Sequence, residues 1–422
     1  SPPVGSPLAY DPAKEVTGPL SCRGIVVLGA GDPVVLCAID WIGVGNDGQV
    51  LFKEHLATAA QTSIDRIAVH ALHQHDAPRC DFSAEDILAD ADLPGAGFSP
   101  GFARDVMRRA ALAVAEAIRQ AQPVTHLGTG QGIVEKVASN RRILGPDGKV
   151  LHTRYTATRN PDIRAYPVGT IDPQLKLISL WQQDRPIVAL TYYATHPQSY
   201  YRTGQANPDF PGMARNARQS DTGIPHVHFN GAGGNIGAGK WNDGAHENRQ
   251  VLADRVAAGM KLAWENTTRV PITSDDMTWD TIDVDLPLAP HLDVNSLSAR
   301  VMNQELKASE RYDAAVSLAW ARRCIARDTI TLSCLTVGDT RILHMPGELF
   351  VEYQLNAQAL RPDLFIAMAA YGDYAPGYIG TEIAYSQGGY ETSQRATRVA
   401  PEVESVLVNA IGHLLDVTEK AN

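Results

Sequence analysis

Short apolar runs and alternations dominate the first eighty residues: "GIVVL", "PVVLCAIDWIGV" and "RIAVHALHQHDAP", the last turning polar from His73 to Asp76. Runs of this length, rich in β-branched residues, predict strands. Between the last two, "DGQVLFKEHLATAAQ" reads as a helix. In "GFARDVMRRAALAVAEAIRQAQP", Phe102, Val106, Ala110, Val114 and Ile118 share one stripe, with Arg and Glu opposite and proline just beyond, which predicts an amphipathic helix. "LKLISLWQQDRPIVALTYYATHP" predicts a hairpin turning at Gln183 to Pro186, whose second strand delivers His196 at its exit. Further helices are expected over 247–265, 294–327 and 401–416, and a second hairpin over "DTITLSCLTVGDTRILHMPGE" turns at Gly338-Asp339.

With no internal repeat, low-complexity tract or long linker, the pattern implies a single domain over 1–422. Its class is α/β, with mixed β-sheets flanked by helices. Composition adds exclusions. A formal net charge of −10 argues against a nucleic-acid partner, because phosphate-backbone binding needs clustered Lys and Arg. The nearest basic group, Arg322, Arg323 and Arg327, reads as a solvated helix face. The 5 cysteines are scattered and imply neither a disulfide framework nor a thiolate zinc site. No apolar run has the length of a transmembrane helix.

The polar end of the third strand carries the candidate chemistry. In "HQHD", His73 and His75 are two apart, so at a strand end both rings leave from one face. That suits two imidazoles on one cation, or one ligand beside one acid/base group. His196 in "YYATHPQSYY" and Glu348 in "HMPGELF" arrive at similar strand exits. A catalytic zinc takes three protein ligands from His, Glu or Asp and keeps a position open for water. Alternatively, His196 is a buried histidine satisfied by backbone, and Glu348 caps the helix suggested by "ELFVEYQLNAQAL". The HxHxDH pattern of metallo-β-lactamases fails, since Ala77 and Pro78 follow Asp76. An amidohydrolase barrel needs eight strand-helix units, which the chain does not offer.

"FNGAGGNIGAGKWNDG" places six glycines in sixteen positions after the strand-like "PHVHF". The spacing is wrong for a dinucleotide loop, and "GKW" lacks the hydroxyl of a phosphate-binding loop. Two readings remain. The glycines form an anion-binding concavity that serves as an oxyanion hole, or they let a loop turn tightly over a packed sheet.

Taken together, these stretches resemble the catalytic domain of the neutral/alkaline, non-lysosomal ceramidases, in order and over almost the whole chain. "SPPVGSPLAY" is similar to the family's opening without its acidic lead-in, and "LHQHDAP" stands where the family has a THTHSGP-like segment. "YYATHP", "MPGELF" and "GYIGTEIAYSQGGYETS" match its later motifs. The resemblance implies zinc held by His73, His196, Glu348 and Tyr385, with His75 near the metal-bound water and Arg141 in "SNRRIL" as a substrate-facing cation. It also implies Asp209 in "DFPG" as a supporting carboxylate, otherwise a common turn aspartate. Asp76, Gly234 and Tyr390 are expected around the substrate. The family's amidase motif falls on residues 234–239, where Asn235 replaces an aspartate and Gly237 replaces the serine proposed as nucleophile. The expectation is of a relative that lacks the family's immunoglobulin-like C-terminal domain.

The expected function is therefore zinc-dependent hydrolysis of an N-acyl amide by metal-activated water. His75 would be the base or acid, and Arg141 with the loop amides near Asn235 would stabilise negative charge. A small polar ester or glycoside is the alternative substrate to a lipid, and a non-catalytic metal- or sugar-binding homologue is the other alternative. The resemblance further implies a secreted bacterial protein, extracellular or periplasmic, with its native N-terminus missing. Oligomeric state is not readable.

Overall fold

The computed structural model describes residues 1–29 and 31–417. It is built on one arrangement used three times: an antiparallel hairpin, a helix, and a strand that returns parallel to the hairpin's second strand. In the first unit, Cys22–Gly29 and Gly31–Ile39 form the hairpin, Asp47–Ala60 is the helix, and Ile67–Ala71 returns with Ile39 opposite Ala71. The second unit has Gln174–Gln182 and Arg185–Tyr193, helix Asp209–Thr222 and strand His226–Asn230, with Tyr193 opposite Asn230. The third has Ile330–Val337 and Thr340–His344, helix Val351–Leu360 and strand Phe365–Ala369, with His344 opposite Ala369. His126–Ile133 and Thr268–Pro271 widen the second sheet, and Met277–Val284 widens the third. The repetition is one of topology and is absent from the sequence.

The continuous apolar run from Val34 to Ile39 follows from burial on both faces. Val34, Leu36 and Ala38 face a central cluster shared by all three sheets, with Leu190, Phe229, Leu335 and Ile342. Val35, Cys37 and Ile39 face the opposite way, onto Phe52, Leu56 and Met107 of the covering helices. At one end of that core the return strands are tied together. Ala71 N–H donates to Tyr371 O at 2.9 Å, Ala370 N–H to Asn230 O at 2.9 Å, and Asn230 Nδ2 to Leu72 O at 2.5 Å. His73 and Tyr371 each lie two residues past a return strand, with φ +68° and +58°, and their rings stack at 4.5 Å. Left-handed backbone in a non-glycine residue is costly and concentrates at functional sites.

Most predicted elements are present, including Pro100–Arg119, Asn248–Glu265 and the two hairpins. The single helix expected over 294–327 is two, Val294–Met302 and Ala308–Ile325. Asn303 divides them, its Oδ1 accepting the N–H of Glu305, because an asparagine side chain competes locally with helical backbone bonds. "DFPG", read as a turn, instead opens helix Asp209–Thr222, where Pro211 falls in a first turn that needs no proline N–H. Arg215 on that helix makes a bidentate, fully buried pair with Asp40, which follows Gly31–Ile39, at 2.7 and 2.9 Å. This pair joins the first unit to the second. No described helix is long and apolar enough to cross a membrane.

Candidate metal centre

Three strand exits bring side chains to one point at the tied end of the sheets. His73 Nε2 lies 3.2 Å from His196 Nε2, and His75 Nε2 lies 3.2 Å from the same atom. Glu348 Oε2 is 3.3 Å from His73 Nε2 and 3.8 Å from His196 Nε2. All four residues are buried. Glu348 does not cap the following helix, whose N-cap is Phe350. A Pro-Gly turn places it on the two-residue strand Glu348–Leu349, paired in parallel with Tyr378–Ile379 so that Glu348 stands opposite Tyr378.

The donor set fits a cation. His73 Nδ1 donates to Ile42 O at 2.5 Å, so in the neutral ring Nε2 carries a bare lone pair facing the cluster. Glu348 Oε2 faces it, buried and without a hydrogen-bond partner among the described residues. Two bare acceptors in van der Waals contact, cut off from water, are costly unless a positive charge sits between them. Burial, reinforced by the Arg141 guanidinium, holds His75 and His196 well below the usual histidine range, so both rings are neutral near pH 7. Burial pushes the Glu348 carboxyl up, and positive charge beside its Oε2, together with the Tyr374 hydroxyl on Oε1, brings it below its ordinary value. Tyr374 donates to Glu348 Oε1 at 2.7 Å.

His73, His75 and His196 form the cluster with metal-holding spacing, yet His75 is set apart by its own bonds. Thr156 donates to Gln198 Oε1, which turns the Gln198 amide nitrogen to His75 Nδ1 at 3.2 Å. The neutral ring then keeps its proton on Nε2, which suits an acid/base neighbour rather than a ligand. Tyr10 also reaches His75 Nδ1, at 3.2 Å.

Tyr385 is not brought to this cluster. It sits on the short helix Glu382–Gln387, its hydroxyl 3.3 Å from Thr397 Oγ1, and its surroundings are set by Thr397, Gly380 and Glu402. Tyrosines 371, 374, 378 and 390 lie instead within the field of Glu348. Tyr378 holds the place beside Glu348 and His196 that the resemblance implies for Tyr385. It stands opposite Glu348 in the ladder, receives Arg141 Nη1 at 3.0 Å, and stacks on His196. The signal was present: "APGYIG" repeats the Pro-Gly turn of "MPGELF", and Gly347 and Gly377 both take positive φ, +58° and +66°.

Asn235 also has a different task. Its Oδ1 accepts the N–H of Val351 and its Nδ2 donates to Glu352, so the amide serves the start of helix Val351–Leu360. The glycine loop is a packing device. A side chain at Gly234 would put its Cβ 2.2 Å from Glu348 O, and one at Gly233 would meet Thr195 backbone at 2.7 Å. The N–H groups of Gly231, Gly234 and Ile236 are spent on Tyr193, Leu349 and Gly233 carbonyls, which leaves none of these three for an oxyanion. Glycine thus lets the His196 and Glu348 segments close on each other. Gly237 differs, since a Cβ there would meet Arg141 and Thr156 at ordinary contact distances of 3.5–3.6 Å.

Arg141 approaches the centre through Tyr378 and lies beside the Tyr390 ring, its charge offset by the fully buried Glu391, a partner the sequence did not mark. Asp76 and Asp209 share Arg249, at 3.1 and 3.3 Å, also unmarked, and this holds the "HQHD" turn against helix Asn248–Glu265.

The cavity reaching His75 and Glu348 is small, about 170 Å³, and walled by Tyr10, Tyr312, Tyr374, Tyr378 and Tyr390. A larger apolar cavity of about 650 Å³ opens at the far end of the three-sheet core, among Val27, Ile178, Val188, Leu335 and Ile342. It lies away from the histidines.

No family model and no curated protein matches this chain. Solved structures do. A ceramidase complexed with C2 superposes with a TM-score of 0.69 at 16% identity, covering 98% of this chain and 72% of that one. The neutral ceramidase from Pseudomonas aeruginosa gives 0.64 at 18% identity, covering 95% and 70%. The chain has a neutral-ceramidase-like fold, as the motifs implied.

Proposed function

We propose that this protein is a metal-dependent hydrolase that cleaves an amide bond in a small polar substrate. The observation that carries the reading is the meeting of His73 Nε2, His196 Nε2 and the partnerless Glu348 Oε2 in a buried site. Its support is the ceramidase-like fold. His73, His196 and Glu348 would hold the metal, with Tyr378 in place of Tyr385 beside them. The donor set of imidazole and carboxylate suits zinc, which when bound supplies a Lewis acid that lowers the pKa of water toward neutrality.

The chain's own residues supply the rest. His75 Nε2–H supplies the proton: a water oxygen adds to the carbonyl carbon, the C–N bond breaks as Nε2 gives its proton to the leaving nitrogen, and Nε2 recovers one proton from that water, whose other hydrogen stays on the carboxylic acid formed. The Tyr378 hydroxyl, fixed by Arg141, keeps its proton, because burial pushes its pKa up, and donates to developing negative charge. Gly237 leaves no serine to act as nucleophile. Cavity size favours a short polar amide over a long-chain lipid, since drug-sized ligands occupy about 300–1,000 Å³. We also read the chain as one catalytic domain.

The test is hydrolysis of matched N-acyl, ester and aryl-glycoside substrates by untreated, chelated and zinc-restored protein. Amide turnover lost on chelation and regained with zinc is expected. Turnover indifferent to chelation would remove the reading.

A further inference from the structure

Most buried or half-buried arginines in this protein meet a carboxylate, and Arg154 and Arg311, which do not, spend their N–H groups on two or more main-chain carbonyls. Arg141 and Arg142 meet Glu391, Arg215 meets Asp40, Arg249 meets Asp76 and Asp209, and Arg323 meets Asp373. Arg79, from the two-residue strand that follows "HQHDAP", is different. It lines the cavity that reaches His75 and Glu348, and it has no carboxylate within 4.0 Å among the described residues. One nitrogen donates to the Ala9 carbonyl, the guanidinium lies 5.0 Å from the Tyr312 ring centroid, and the Nε–H is buried with no acceptor. Tyr10 and His75 line the same cavity.

A second cation lines the same wall. Arg398 donates to the Ala375 carbonyl at 3.1 Å and to Ser317 Oγ at 3.3 Å, and it too lacks a carboxylate partner among the described residues. The acids of the cavity form no ion pair with these two. Asp313, exposed at the mouth, offsets the Arg79 charge only from a distance, and Glu348 is turned to the histidines. Asp81 has its oxygens taken by the Ala84 N–H and Asn46 Nδ2, and burial pushes its pKa up to about 7. An uncompensated buried charge is expensive, and a guanidinium with free N–H groups is shaped for a carboxylate.

We propose that this cavity binds a carboxylate at Arg79 and Arg398, and that the substrate is a small amide bearing that carboxylate. The second half rests on the hydrolase reading, whereas the binding does not. The cavity of about 170 Å³ admits a short acyl amino acid rather than a chain lipid.

The experiment is calorimetric titration of chelated protein with N-acetylglycine and with its neutral isostere N-acetylglycinamide. The wild type is expected to bind the acid at least tenfold more tightly. Arg79→Met abolishes that preference, Arg398→Met reduces it several-fold, and Arg395→Gln at the exposed rim leaves it intact. Equal binding of acid and amide by the wild type, or no binding of either, overturns the proposal without any variant. So does a full preference in folded Arg79→Met. If Arg79→Met does not fold, Arg398→Met decides, and an unchanged preference there also overturns it. Hydrolysis is scored separately. Acid preference without metal-dependent turnover keeps the carboxylate site and removes the hydrolase reading. Metal-dependent turnover of neutral amides without acid preference does the reverse.

Discussion

Glu348 and Tyr378 are register partners in a two-residue parallel ladder, each delivered by a Pro-Gly turn, with the Glu348 N–H bonded to Gly377 O at 2.8 Å. The ladder fixes which tyrosine stands beside the carboxylate. Tyr378→Phe should therefore weaken zinc binding about 10–100-fold, the usual cost of disturbing a ligand's supporting bonds. Tyr385→Phe should leave it unchanged. Competition with a chromophoric chelator measures both, and equal effects would place the two tyrosines alike.

Gly237 has room for a side chain, so Gly237→Ser should fold with a stability change under about 1 kcal/mol and an unaltered metal content. Its hydroxyl would lie near Arg141. Turnover should not rise, because the proposed chemistry does not use a serine. A tenfold gain would restore the serine to consideration.

The Asp40 and Arg215 pair is fully buried and bidentate, so removing one partner strands the other. Asp40→Ala or Arg215→Ala should each cost about 3–5 kcal/mol in urea denaturation. Replacing both, as Asp40→Leu with Arg215→Met, should cost clearly less than the sum. Strict additivity would show that the pair does not act as a unit.

Buried histidines give the fold an acid limit. Burial pulls the pKa of His228 down to about 3, against an ordinary value near 6.5, so between these values the unfolded chain binds a proton the native chain refuses. Stability contributed by neutral His228 is therefore present above pH 6.5 and falls with pH, by about 1.4 kcal/mol per unit. His228→Gln should flatten the stability profile between pH 6.5 and 5.5 by about 1 kcal/mol. Parallel profiles would contradict the assignment.

Much of this was legible in the sequence, for identifiable reasons. Strands, hairpins and the helix over 100–119 follow from local periodicity, and His73, His196 and Glu348 could be shortlisted because each lies at a strand exit before a turn, with the family resemblance choosing them as a set. What failed depends on contacts between distant segments. Asn235 reads as a loop donor until Val351 arrives to take its oxygen. Tyr378 and Tyr385 share one motif, and only the ladder with Glu348 separates them. Asn303 hides its break because an Asx turn needs two positions, not a pattern. The three-unit topology leaves no trace because each unit fills its core with different residues.

The central claim is that His73 and His196 hold a metal with Glu348. Metal analysis of purified protein by mass spectrometry, wild type beside a His73→Ala, His196→Ala double variant, tests it most directly. The wild type should carry about one zinc per chain and the folded double variant none. Equal metal content in the two, or a wild type that binds no zinc when it is supplied, would contradict it.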